Sequence, residues 1–259
     1  AIKSAKYDLI EKNDFHKNRI NDEIYFSLKQ ALEEQKAILI GEDIRNKYLK
    51  DNKNYGGAFN VTKDLSDNFI DQVFNMPISE SAMVGFSTGI AMNNICSIVE
   101  IMFGDFMTLT FDQIFQHASK FQLMYNDKSF KIPITIRTPM GGKRGYGPTH
   151  SQSIEKFFLG IPNFNVFVIN HRLKINDFYK NIFKISSPNL IIENKILYNI
   201  IPNNIELPPF YEIFQTDSDF PVIIIKPRNQ HVPKLTLLCY GGVLIDIEKN
   251  GKNLKKHII

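Results

Sequence analysis

Short aliphatic runs alternate along this chain with segments whose apolar residues recur every three or four positions, and this alternation restricts the fold more than any other feature. Ile20, Ile24, Leu28 and Leu32 form one helical stripe, with Asn21 or Asp22 as candidate caps. Residues 37–40 make an apolar run closed by Gly41, which reads as a buried strand. A turn-rich stretch covers 51–57, a weaker strand 73–74, and a helix 79–94 with Ser79 as its cap. Further strands are expected over 95–101, 132–138, 166–169 and 190–192, with helices over 111–125 and about 175–185. Strands separated by helices imply βαβ units, hence a parallel sheet covered on both faces. Ligands of such sheets bind at the carboxyl ends of the strands.

One such end carries an unusual segment. Residues 139–148 hold four Gly and two Pro, which neither a helix nor a central strand tolerates. From 202 to 233 the periodicity lapses among prolines, and the stretch reads as a linker. A strand over 235–240, Gly241-Gly242 and a helical segment follow. One strand and one helix cannot bury a core of their own, so this end reads as the start of a second α/β domain. The expected organisation is an N-terminal extension over 1–19, an α/β domain over 20–201, a linker over 202–233 and a truncated domain over 234–259.

Composition mainly excludes. Two cysteines, Cys96 and Cys239, rule out a disulfide scaffold and fit a reducing compartment, cytoplasm or an organelle matrix. A formal charge of +4 is too small and dispersed to argue for nucleic acid. No apolar stretch is long enough for a membrane span, and the polar first residues are no secretory signal.

Gly85-Phe-Ser87-Thr-Gly89 matches the G-x-S-x-G nucleophile elbow letter for letter. That motif needs a strand entering a sharp turn, whereas this segment reads as a helix whose small residues allow close packing. Residues 141–147 offer backbone N–H groups, Lys143 and Arg144 to an anion, but lack P-loop spacing. His150, just beyond that loop, is an acid–base candidate beside the reading of a solvated histidine. His16, His117, His171, His231 and His257 have no comparable setting, and no zinc-binding histidine pair occurs. Glu80, taken alone, is an ordinary first-turn carboxylate on a helix dipole.

Taken in order, these segments resemble the beta subunit of the first component of 2-oxo acid dehydrogenase complexes, a family of thiamine-diphosphate enzymes related to transketolase. The resemblance rests on Gly41-Glu-Asp43, Tyr55-Gly-Gly-Ala-Phe59, Met76-Pro-Ile-Ser-Glu80, Val84-Gly-Phe86, the segment from Glu100 to Asp112-Gln113 and Arg137-Thr-Pro139. It continues through Gly145-Tyr-Gly-Pro-Thr-His-Ser-Gln-Ser153, Gly160-Ile-Pro162, Glu193-Asn-Lys195 with Leu197-Tyr198, and Leu235 to Gly241, and covers about 20–242. It implies a three-layer, pyrimidine-type cofactor-binding domain. It places Glu80 on N1′ of the aminopyrimidine, Ile78 as an apolar neighbour of that ring and Phe106 as the aromatic stacked on it. A carboxyl at N1′ favours the imino tautomer of the 4′-amino group, which then removes the thiazolium C2 proton; burial would raise its pKa toward that task. His150 falls on the active-site histidine, with a role in proton transfer or charge stabilisation on the reaction intermediate and the lipoyl group.

Lys143 and Arg144 are candidate contacts to a substrate carboxylate or phosphate. The resemblance also suggests a potassium site, mainly of backbone oxygens, at Ile134, Ile182, Ile185 and Ser187. The Gly-Asp-Gly motif that holds Mg²⁺ and the diphosphate is not found, so these are expected from an alpha-type partner in an α₂β₂ assembly with a second copy of this chain. The family also docks a lipoyl acyltransferase core, through a domain this chain carries only in part. Rival readings keep the cofactor with another acceptor, as a transketolase-like or acyloin-forming carboligase, or keep only the fold, as a non-catalytic scaffold.

Overall fold

The structure, a computed structural model, describes residues 6–45, 56–125, 129–207, 209–228 and 235–257. Tyr55 and most of the turn-rich stretch 51–57 therefore lie outside the described residues, as do 1–5 of the expected extension and 229–233 of the expected linker.

In chain order the elements are β1 (Tyr7–Ile10), α1 (Ile20–Gln35), β2 (Ile38–Gly41), α2 (Leu65–Asn68), β3 (Val73–Asn75), α3 (Glu80–Ala91), β4 (Ser97–Glu100), α4 (Phe121–Met124), β5 (Ile134–Met140), β6 (Asn165–Val168), α5 (Ile175–Ile182), β7 (Asn189–Asn194), β8 (Tyr211–Thr216), β9 (Ile223–Pro227) and α6 (Val243–His257). Six strands form one parallel sheet, as the alternation predicted, and their order is β3-β2-β4-β5-β7-β6. Successive side chains of a strand point to opposite faces, so each buried strand must supply two cores. Leu39, Ile98 and Ile191 face a cluster with α1 and α5, built on Ile24, Leu28, Ile175 and Tyr179. Their neighbours Ile40, Val99, Leu190 and Ile192 face a second cluster with α3, built on Met83 and Val84. The result is three layers.

The same alternation buries charge. Glu100, Arg137 and Glu193 all point to the α1/α5 side, and Glu100 stands opposite Arg137 in register. Arg137 Nη1 donates to Glu100, and its Nε and Nη2 donate to the two oxygens of Glu193 at 2.8 and 2.6 Å. Tyr179 and Tyr198 also donate to Glu193. Burial pushes the Glu100 carboxyl above its ordinary pKa, Arg137 pulls it back, and the Glu193 charge adds to the rise.

Several expectations are corrected. The cap of α1 is Arg19 with no side-chain hydrogen bond, and Asn21 lies buried inside the helix, its amide bonded to the Phe59 carbonyl. The helix expected over 111–125 is broken into a π-helical turn Gln113–Ala118 and short α4, and a 3₁₀ turn Gly104–Thr110 precedes it. There α3 approaches so closely that a Cβ on Gly85 would lie 2.9 Å from Gln113 Oε1. Ser87 is an interior residue of α3 and fully buried, so the hydrolase elbow is excluded: no strand enters it and nothing exposes the hydroxyl. Residues 202–233 are more than a linker, because β8 and β9 pair antiparallel within them and β1 of the N-terminal segment joins β8. Pro221 lies just before β9 and Pro227 ends it, positions where no ladder N–H is needed. No strand forms over 235–240; the segment is largely exposed and pairs with no strand among the described residues.

Candidate functional site

The order in which strands are added reverses at β2: β3 lies on one side of it and β4, which follows later, on the other. Such a switch point opens a crevice at the carboxyl ends. The chain's chemistry gathers there. Glu42 follows β2, Glu80 opens α3 after β3, Phe103 and Phe106 follow β4, the Gly-rich loop with His150 follows β5, and Lys195 follows β7.

Glu80 is the first residue of α3, buried at 6% exposure. The helix dipole favours its negative charge. Ser79 stands at the cap position without a side-chain bond. Glu42 lies close enough for Glu80 to act on it: burial first, then the Glu80 and Asp43 charges, push its carboxyl above the ordinary range. Glu42 Oε1 is buried and has no hydrogen-bond partner among the described residues. A buried carboxylate beside an unsatisfied carboxyl oxygen is an arrangement that asks for an outside donor. Ile78 projects an 83% exposed side chain just before Glu80.

The second group centres on His150. Its ring is 5.1 Å from Phe103 and 5.3 Å from Phe106, edge to face in both cases. Its Nδ1 lies 2.8 Å from Thr149 Oγ1. Phe103 also meets Phe59 and Tyr146, so aromatic rings line this end. The loop is tied at its base by Gly141 N–H, which donates to Gln152 O at 3.3 Å. Gly141 has φ +90°, and a Cβ there would stand 2.8 Å from Asn194 Nδ2, so only glycine fits.

The other expected residues fall elsewhere. Lys143 pairs with Asp246 on α6, and Arg144 is exposed on the loop. Ile134 begins β5 and Ser187 precedes β7, so the four oxygens of the suggested potassium site lie at the opposite end of the sheet. Two of these groups already accept internal bonds: Ile182 O from Ile185 N at 2.9 Å, and Ser187 Oγ from Asn165. Among the described residues no group of three or more His, Cys, Asp or Glu is placed to hold a metal.

Residues 28–200 match the family described as transketolase, pyrimidine binding domain. The chain belongs to this family, whose cofactor is thiamine diphosphate. Among curated proteins, pyruvate dehydrogenase E1 component subunit beta of Staurastrum punctulatum is 29% identical over 240 residues, 86% of this chain and 70% of that one. The protein of the same name from Gracilaria tenuistipitata var. liui is 28% identical over 242 residues, 89% of this chain and 69% of that one. The acetoin:2,6-dichlorophenolindophenol oxidoreductase subunit beta of Bacillus subtilis (strain 168) is 30% identical over 187 residues, 70% of this chain and 54% of that one. The unpaired Oε1 of Glu42, the buried carboxyl of Glu80 and the exposed apolar side chain of Ile78 form a lining that would suit a nitrogen-bearing ring.

Two further residues stand at this end. Glu42 is brought beside Glu80 only by the fold, since the two lie 38 positions apart in sequence. Lys195 is fully buried under the Gly-rich loop, where its ammonium donates to the His150 carbonyl. A lysine in a strand-end motif carries no sequence mark of burial.

Proposed function

We infer that this chain is a beta-type subunit of a thiamine-diphosphate-dependent 2-oxo acid dehydrogenase. The enzyme decarboxylates a 2-oxo acid and transfers the acyl group to a lipoyl carrier, and this subunit works only with an alpha-type partner. The observation that carries the reading is the gathering, at one sheet end of a domain of this family, of Glu80 beside Glu42 and of His150 against Phe106.

When bound, thiamine diphosphate supplies a carbon nucleophile and an electron sink at its thiazolium. Glu80 holds a proton at N1′ of the aminopyrimidine, and its burial keeps competing water from that bond. Glu42, whose carboxyl burial and the Glu80 charge push above its ordinary range, offers a second carboxyl group at the same end. Ile78 and Phe106 orient the ring by contact. His150, fixed edge-on between two phenyl rings, moves a proton or stabilises charge at the substrate side.

The alpha-type partner holds Mg²⁺ and the diphosphate half in an α₂β₂ assembly with a second copy of this chain. Potassium at Ile134, Ile182, Ile185 and Ser187, and docking to a lipoyl acyltransferase core, belong to the same proposal. Arg144, with Lys143 engaged by Asp246, remains the candidate for a substrate carboxylate. The setting is a reducing compartment, and among the described residues no helix is long and apolar enough to cross a membrane.

The test is reconstitution with the alpha-type partner, thiamine diphosphate, Mg²⁺ and pyruvate or branched 2-oxo acids. Glu80→Ala is expected to lower turnover by roughly 10²–10⁴-fold, the range of an acid–base contribution. Full activity of that variant sinks the cofactor assignment, and an unchanged KM in Arg144→Ala across 2-oxo acids removes its substrate role. A second reading, an acyloin-handling enzyme with another acceptor, is favoured by the Bacillus relative's name; turnover of acetoin but not pyruvate would select it.

A further inference from the structure

The segment leaving the Gly-rich loop is gripped by opposite charges from its two sides. Lys195, fully buried at the end of β7, donates from Nζ to the carbonyl oxygen of His150. Asp105, buried in the 3₁₀ turn after β4, accepts from the backbone N–H of Gln152 through Oδ1 at 3.3 Å. One backbone carbonyl and one backbone N–H, two residues apart, are therefore each held by an ion rather than a neutral partner, the stronger type of hydrogen bond. The ammonium also lies 4.9 Å from the Phe103 ring centre and 4.8 Å from that of Tyr146. Phe103 is one of the two rings between which His150 stands, and Tyr146 belongs to the loop itself.

We propose that Lys195 and Asp105 form a charge clamp that closes the Gly-rich loop and positions His150. Lys195 is a positioning residue: it acts through the His150 backbone and the Phe103 ring. Asp105 supplies its counter-charge; burial pulls the ammonium below its ordinary pKa, Asp105 opposes that, and Arg144 adds to it. Asp105 Oδ2 is buried without a hydrogen-bond partner among the described residues, so the clamp keeps a carboxylate oxygen in reserve close to the loop. The catalytic consequence, though not the clamp, rests on the role given to His150 above.

Hydrogen exchange read by mass spectrometry, on the chain assembled with its alpha-type partner, tests the clamp. Lys195→Met is expected to speed exchange of peptides spanning 141–152 at least tenfold, with peptides of α1 and β4 unchanged. Lys195→Arg restores protection, because it keeps the cation. Asp105→Ala gives the same loosening and stands in if Lys195→Met does not fold. In turnover, Lys195→Met lowers kcat by roughly 10–100-fold with little change in KM, as expected when a catalytic group is displaced by about an ångström. Unchanged loop protection in both Lys195→Met and Asp105→Ala overturns the clamp. Loosened loops with kcat unaltered, alongside a fully active His150→Ala, would leave the clamp standing and remove the catalytic role of His150 instead.

Discussion

Individual residues at the strand ends carry costs that the rest of the fold must offset. Glu42 ionises less readily in the folded chain than in the unfolded one, since burial and the Glu80 charge oppose it. As pH rises above the ordinary carboxylate range, the unfolded state ionises first and stability falls until the folded pKa is passed. Glu42→Gln should therefore raise the melting temperature at pH 7, and the gain should vanish near pH 4, as a thermal scan across pH would show. Arg137 is the opposite case, a cation buried between two carboxylates. Removing it in Arg137→Met strands both, at a cost of about 3–5 kcal/mol in urea unfolding. Adding Glu193→Gln to that variant should recover part of the loss. Glu80, His150 and Phe106 were legible as members of an ordered set of motifs. Glu42 and Lys195 were not, because their significance lies in what stands beside them.

Among the elements, those with a strong period behaved as their sequence indicates. The stripe on α1 is buried as a stripe, and Leu28→Ala should cost about 2–5 kcal/mol, the usual range for a fully buried leucine. The segment after β4 did not form one helix, since close packing against α3 and the turn chemistry of 104–110 override its period. Helix α6 is held to the domain by a buried carboxylate, Glu248. Glu248 accepts from Arg172 Nε and Nη2 at 3.1 and 2.9 Å and lies 2.9 Å from His171 Nε2. Burial alone would raise its pKa, but the hydrogen bonds from His171 and Arg172 win and lower it. A depressed carboxyl pKa adds stability above its unfolded value and loses it as pH falls through the folded one. Amides of α6 should thus exchange faster in Glu248→Gln at neutral pH and in the wild type only under acid conditions. The sequence around His171 carries no mark of this role, because its partner lies 77 positions away.

For the molecule as a whole, the parallel sheet and its six strands are supported on both faces by cores the alternation announces. The small antiparallel sheet is different. Strand β1 pairs with β8 across two hundred residues and closes Ile10 and Phe15 over Ile213. Deleting residues 1–10 should expose that cluster, raise the binding of a hydrophobic dye and loosen β8 and β9 while leaving the parallel sheet intact. The sequence by itself determined the parallel α/β domain and the family, since period, turn residues and motif order are local properties. The tertiary structure alone decided that residues 202–227 and the N-terminal segment share a sheet, that Arg137 sits between Glu100 and Glu193, and that Lys195 and Asp105 grip the loop of His150. Those are pairings between distant positions, and their energy comes from burial and from neighbours that no single stretch of chain contains.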